Sequence, residues 1–199
     1  MRARGNAVQL PIEPFIKAMW LVFALYWLWG WRRVKGAQRK EAVLPRIVKY
    51  WLPLAIAVAL IGPGDWFGSS WLHVRMYPAS VAVAVVGALL TKLGVAFACW
   101  ASHVLGRNWS SVVQVKKDHE LIQSGPYRWV RHPIYTGLLL AFLGTAMAIG
   151  EWRGAVCVVI VAVSFWFKLK LEERWMRENF GVAYENYMQR TKALIPGLL

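Results

Sequence analysis

Hydrophobic residues in this chain come in long blocks separated by short connectors rich in Lys and Arg, without the period of a half-buried strand or an amphipathic helix. Blocks of this length predict membrane-spanning helices, because a bilayer's hydrocarbon core takes about 20 apolar residues of helix to cross. Five spans follow: Phe15–Trp31, Tyr50–Phe67, Tyr77–Trp100, Ile134–Gly150 and Ala155–Phe167. The last continues as helix through Leu169 and Leu171 into an aqueous C-terminal region. The first is too long, with the wrong flanks, for a cleaved signal peptide. The predicted fold class is all-α: a polytopic membrane protein of about five transmembrane helices in a single membrane domain over residues 1–199. Residues 1–76 carry two N-terminal spans, and residues 77–199 carry the rest and a C-terminal amphipathic helix.

Composition agrees with this pattern: of 199 residues, 58% are apolar and 17% charged, and 13 are Trp. The net charge of +14 alone would suggest a nucleic-acid partner, but its distribution points elsewhere. Seven Lys/Arg fall in residues 32–49, five in 101–133 and six from Lys168 onward. The opposite side collects Arg2, Arg4 and Lys17 near the N-terminus, with Arg75 and Arg153 in later connectors. Eighteen against five places the N-terminus outside and the C-terminus in the cytoplasm. The basic charge then serves topology and attraction to membrane lipids, and no nucleic acid is expected. Cys99 and Cys157 lie in apolar blocks and read as small core residues; no Cys/His cluster has zinc spacing, so no metal is expected. Gly62–Gly68 superficially looks like a dinucleotide fingerprint but has the wrong spacing and no preceding strand, and reads as a turn. Gly87 and Gly94, seven residues apart in the third span, predict close approach of a neighbouring helix. Lys92, in the same span, reads as snorkelling to the headgroups.

The chemistry concentrates in residues 125–137, GPYRWVRHPIYTG, at the mouth of the fourth span. Polar groups at a membrane mouth are costly and usually functional. Pro126 and Pro133 push the residues before them toward extended backbone, and Pro133 suits the first turn of a helix. A helix start there offers backbone N–H groups to an anion, with Arg128 and Arg131 adding positive charge. Tyr127 and Tyr135 offer ring faces that attract cations, sulfoniums included, and His132 a donor or acceptor. A fixed anion for a ligand amine comes from Glu172 and Glu173, where the last span leaves the membrane. Anion clamp, cation clamp and aromatic faces fit a zwitterionic sulfonium such as S-adenosylmethionine; a phosphate-bearing ligand would also fit the anion clamp.

Three stretches carry a more specific signal: Leu105-Gly106-Arg107-Asn108-Trp109-Ser110, then His119 through Tyr127, then Arg131-His132-Pro133-Ile134-Tyr135-Thr136-Gly137. With Leu171-Glu172-Glu173-Arg174-Trp175 through Gly181, and Tyr184 and Tyr187 beyond, this pattern resembles the isoprenylcysteine carboxyl methyltransferase family and its phospholipid methyltransferase relatives. The resemblance covers roughly residues 90–199. It implies an integral membrane methyltransferase whose cofactor is S-adenosylmethionine, leaving S-adenosylhomocysteine as product. It also implies a pocket facing the cytoplasm and a lipid or prenylated acceptor entering from the bilayer. Carried over by position, Gln114, His119, Leu121, Ile122 and Tyr127 would line the nucleoside side, with His132, Pro133, Ile134 and Tyr135 at the methionine part and Glu172 on its amine. Lys168 stands where the family often has arginine and cannot reproduce a bidentate contact. Arg131 and Glu173 are the candidate catalytic residues, on the acceptor side. An arginine late in the third span, frequent among the eukaryotic enzymes, is missing here, leaving Lys92 or His103 to face an acceptor carboxylate. A phospholipid amine or a small thiol is an alternative acceptor. More distant readings are an NADPH-dependent membrane reductase of the sterol type and a non-catalytic relative. If the chain is prokaryotic, its place is the cytoplasmic membrane.

Overall fold

A computed structural model describes residues 11–31, 37–40, 42–106, 114–116 and 121–198. Among these, helix α1 spans Ile12–Trp31, α2 Val43–Leu60, α3 Val81–Leu105, α4 Pro133–Ile149, α5 Trp152–Phe180 and α6 Val182–Arg190. A small antiparallel ribbon pairs β1 (Ala37–Lys40) with β2 (Gln114–Lys116), joining two connectors at one end of the bundle. Helices α1, α2, α3 and α5 are long and apolar enough to cross a membrane, and α4, at 17 residues, is apolar but shorter. The fold is that of a polytopic α-helical membrane protein.

The second span is displaced from its predicted place: it begins at Val43, not Tyr50, and ends at Leu60, with a turn of 3₁₀-helix at Gly64–Phe67. Arg46 and Lys49 lie inside the helix, and the Gly62-Pro63-Gly64 turn ends it. Pro53 lies within the helix. It cannot donate to the Lys49 carbonyl four residues back, and the chain passes this point through a π-helical turn at Ile47–Trp51. The Ser164 hydroxyl on α5 donates to that carbonyl instead, at 3.0 Å. About two turns further along, Cys157 Sγ donates to Ala57 O at 3.2 Å. At the helix end, Arg153 Nη1 donates to the carbonyls of Leu60 and Gly62 at 2.9 and 2.5 Å while its Nε holds Glu151 at 2.6 Å. Polar side chains along α5 thus satisfy the irregular backbone of α2, which lipid could not.

Helices α3 and α4 meet backbone to backbone. A Cβ on Gly94 would lie 2.4 Å from Gly137 O, and one on Gly87 would lie 2.5 Å from Gly144 O. The expected close approach is therefore observed, and its partner surface repeats the same seven-residue glycine spacing on α4. Thr91 and Thr145 share a hydrogen bond at 3.2 Å in the middle of this contact, and Trp20 Nε1 from α1 donates to Thr145 Oγ1 at 3.0 Å.

Helix α5 runs on past the apolar block as expected, for 29 residues in all. The tail beyond it is not one interfacial helix. It breaks at Gly181, whose φ of +51° favours glycine, and α6 folds back so that Trp175, Tyr184 and Tyr187 are buried.

Candidate functional site

The segment between α3 and α4 enters the bundle through Gly125 (φ +58°), which begins a short 3₁₀ turn, Gly125–Arg128. Pro126, Tyr127 and Val130 point inward while Arg128 and Trp129 stay exposed. His132 caps α4 in a non-helical conformation, and Pro133 occupies the first helical position, where no N–H is needed.

What holds this segment is the chain's C-terminal stretch. Arg131 N donates to Lys192 O at 2.8 Å, His132 N to Ala193 O at 3.0 Å, and Thr136 Oγ1 to Leu194 O at 2.7 Å. Tyr187 Oη donates to Tyr127 O at 2.5 Å. This narrows the anion site expected at the start of α4. The Arg131 and His132 amides are consumed by the tail and Pro133 has none, so the first turn offers only the N–H groups of Ile134 and Tyr135.

Two consecutive glutamates of α5 face this segment with different partners. Glu173 Oε1 accepts from Arg131 Nε at 2.9 Å and Nη2 at 2.7 Å, and lies 3.3 Å from His132 Nε2. The remaining guanidinium nitrogen, Nη1, donates to Thr191 O and, at 3.4 Å, to Met188 O. Both side chains are buried, so this is an enclosed ion pair bound to the tail. Glu172 is different. Tyr135 Oη donates to its Oε1 at 2.5 Å and His132 Nδ1 lies 3.5 Å from its Oε2, yet its side chain remains 25% exposed. The His132 and Tyr135 rings stack 5.5 Å apart, and Lys168 Nζ lies 5.3 Å from the centre of the Tyr135 ring.

Both ring nitrogens of His132 therefore face carboxylates. Burial alone would lower its pKa, but Glu172 and Glu173 outweigh burial and hold it above the ordinary histidine value. Burial is also the main force raising the tyrosine hydroxyls here: Tyr187 is pushed up to about 12, and Tyr127 and Tyr184 also upward. These phenols stay protonated donors at neutral pH. A histidine whose folded pKa exceeds its unfolded value contributes stability that is complete below the unfolded value, about 6.5, and is lost as pH rises through the folded value. The detergent-solubilised protein is expected to lose thermal stability as pH rises above neutrality, with the slope flattened in His132→Gln. Parallel pH profiles for the two proteins would contradict this assignment.

Of the residues expected at the site, Arg131, His132, Pro133, Tyr135, Lys168, Glu172 and Glu173 come together, with Ile134 in the same helical turn. Tyr127 is joined to them through Tyr187. Leu121 and Ile122 lie half-buried on the approach to Gly125. The Gln114 backbone opens β2, while its side chain and all of His119 lie outside the described residues. Lys92 and His103 are both exposed on α3. Sequence reasoning missed the contribution of Met188 and Thr191–Leu194, which act through main-chain atoms that leave no residue signature.

A family model described as phospholipid methyltransferase matches residues 82–183, just over half of the chain. A protein-S-isoprenylcysteine O-methyltransferase of Saccharomyces cerevisiae is 32% identical over 115 residues, 56% of this chain and 48% of that protein. A probable enzyme of the same name from Oryza sativa subsp. japonica is 31% identical over 117 residues, 57% of this chain and 58% of its own length. The chain thus spans about half the length of these curated relatives. A solved structure of the eukaryotic intramembrane Ras methyltransferase, isoprenylcysteine carboxyl methyltransferase, superposes with a TM-score of 0.59 at 22% identity, covering 96% of this chain and 70% of that one; it shares the fold. The matched segment takes in α3, α4, all of α5 and the His132–Glu172–Glu173 cluster between them, and on that evidence the chain belongs to the phospholipid methyltransferase family.

Proposed function

We propose that this protein is an integral membrane methyltransferase that uses S-adenosylmethionine and acts on a lipophilic acceptor, most closely in the manner of the isoprenylcysteine carboxyl O-methyltransferases. The observation that carries the reading is Glu172, a carboxylate left 25% exposed between the His132 imidazole and the Tyr135 ring, with Lys168 over that ring. The donor set suits an amino-acid zwitterion bearing a sulfonium: Glu172 for the ammonium, Lys168 and the Ile134 and Tyr135 amides for the carboxylate, and aromatic faces for the sulfonium. The names of the yeast and rice relatives support the same reading.

When bound, S-adenosylmethionine supplies an electrophilic methyl carbon on a good leaving group. The protein's own task is then alignment and exclusion of water. Glu172 is oriented by two donors, Tyr135 Oη and His132, so its position is fixed before a ligand arrives. His132, with both nitrogens facing carboxylates, serves as a fixed cation and not as a base. A carboxylate or thiolate acceptor needs no deprotonation, which suits a site whose His132 is held between two carboxylates. The charge asymmetry of the connectors supports a cytoplasmic mouth, and a lipophilic acceptor would reach it laterally from the bilayer.

The test is transfer of labelled methyl from S-adenosylmethionine to a panel comprising a prenylcysteine, a phospholipid amine and a small thiol. Glu172→Ala and His132→Ala are expected to weaken S-adenosylhomocysteine binding by about 10- to 100-fold, the value of one or two charged hydrogen bonds. Binding of NADPH in place of S-adenosylhomocysteine would overturn the reading, as would unchanged affinity in both variants.

A further inference from the structure

His132 is the centre of the cluster, and three different parts of the chain converge on it. Its backbone N–H is held by Ala193 O at 3.0 Å, its Nδ1 faces Glu172 Oε2 at 3.5 Å, and its Nε2 faces Glu173 Oε1 at 3.3 Å. The Glu173 oxygen that meets the imidazole is the same one that takes both Arg131 bonds. Arg131 in turn reaches the carbonyls of Met188 and Thr191. Its guanidinium is therefore a rivet through α5, the end of α6 and the segment after it. With every nitrogen engaged and the side chain only 8% exposed, it offers nothing to a ligand.

We propose that Arg131 is a positioning residue: gripped by the tail, it fixes Glu173 so that Glu173 orients the His132 imidazole toward Glu172, and ligand affinity at the site depends on a side chain that touches no ligand. This rests on the cofactor reading above. It also reassigns Arg131 and Glu173 from the acceptor side of the reaction to the support of the cofactor side. Charged and titratable groups around His132 are Glu172, Glu173 and Lys168 from α5, Tyr127, Arg131 and Tyr135 from its own segment, and Tyr184 and Tyr187 from α6, which lie against the Arg131–Glu173 pair.

The sign of one measurement separates positioning from simple charge. Taking a cation away from an unmoved Glu173 would raise the imidazole's titration midpoint, because the carboxylate is left with His132 as its only cationic partner. Releasing Glu173 from its fixed place lowers the midpoint, because the imidazolium loses a partner. The chain has four histidines, so imidazole ¹⁵N shifts in histidine-labelled protein in nanodiscs, assigned with His132→Gln, can follow this titration. Arg131→Gln is expected to lower the His132 midpoint and weaken S-adenosylhomocysteine binding, read by calorimetry, about tenfold or more. Arg131→Lys keeps the charge and loses the fork that grips one oxygen twice. It is expected to lower the midpoint by less, and it serves on its own if Arg131→Gln does not fold. A midpoint that rises or stays put in either variant overturns the proposal, as does an affinity loss with His132 unmoved, which would put Arg131 on the ligand. Wild-type protein that binds no S-adenosylhomocysteine would sink the cofactor reading alone, since the titration of His132 needs no ligand.

Discussion

Glu173→Ala is expected to destabilise the protein by about 3–5 kcal/mol, the cost of removing one member of a buried ion pair and leaving the other uncompensated. The loss reaches beyond one contact. Arg131 would be left buried with only the Met188 and Thr191 carbonyls, and His132 would lose the partner at its Nε2. Because these groups hold the C-terminal stretch against the start of α4, the variant should also expose residues 184–194 to protease before global unfolding. Glu172→Ala makes the informative contrast. Glu172 is partly exposed and, among the described residues, pairs with His132 and no arginine, so its removal should cost far less stability while costing more affinity. Reversible denaturation in mixed micelles, with the two variants side by side, measures the difference; equal stability losses would show that the enclosed pair has no special weight.

The second large effect is expected at the α3–α4 contact. In Gly94→Val the new Cβ would start 2.4 Å from Gly137 O and 2.5 Å from Ala141 N, both backbone atoms that cannot rotate away. Overpacking a core costs about 1–3 kcal/mol where side chains can yield. Here only separation of the helices relieves the clash, so the loss should lie at or above the top of that range. It would also loosen the Thr91–Thr145 bond and the Trp20 contact that depend on this spacing. Leu93→Val, one residue away but facing outward, should leave stability within about 0.5 kcal/mol, as surface substitutions do. A Gly94→Val protein as stable as Leu93→Val would mean that the helices do not meet at these glycines.

Much of this was legible in the chain because the membrane makes length and apolarity decisive. The blocks around Phe15, Tyr77, Ile134 and Ala155 each became a helix close to its expected place. The exception is the second span: Arg46 and Lys49 lie inside the helix although their charge marks a connector, and the Gly62-Pro63-Gly64 turn ends it before Phe67. The pairing of GPYRWVRHPIYTG with Glu172 and Glu173 was readable from residue chemistry, since an anion clamp without an opposing carboxylate made an incomplete site. The division of labour between the two glutamates was not. It follows from which faces of α5 meet Arg131 and Tyr135, and from tail carbonyls that any sequence would present.

The bond from Ser164 to the Lys49 carbonyl has a consequence for how the protein is made. The two residues lie 115 positions apart, so α2 leaves the ribosome well before the hydroxyl that bonds its Lys49 carbonyl exists. A backbone acceptor that loses a partner is costlier in lipid than in water. During synthesis, α2 is best accommodated where water or a host protein can cover Lys49 O, and it should leave that shelter only once α5 arrives. This contact of α2 can form only once the fifth helix has been made, so the first half of the protein is finished by the second.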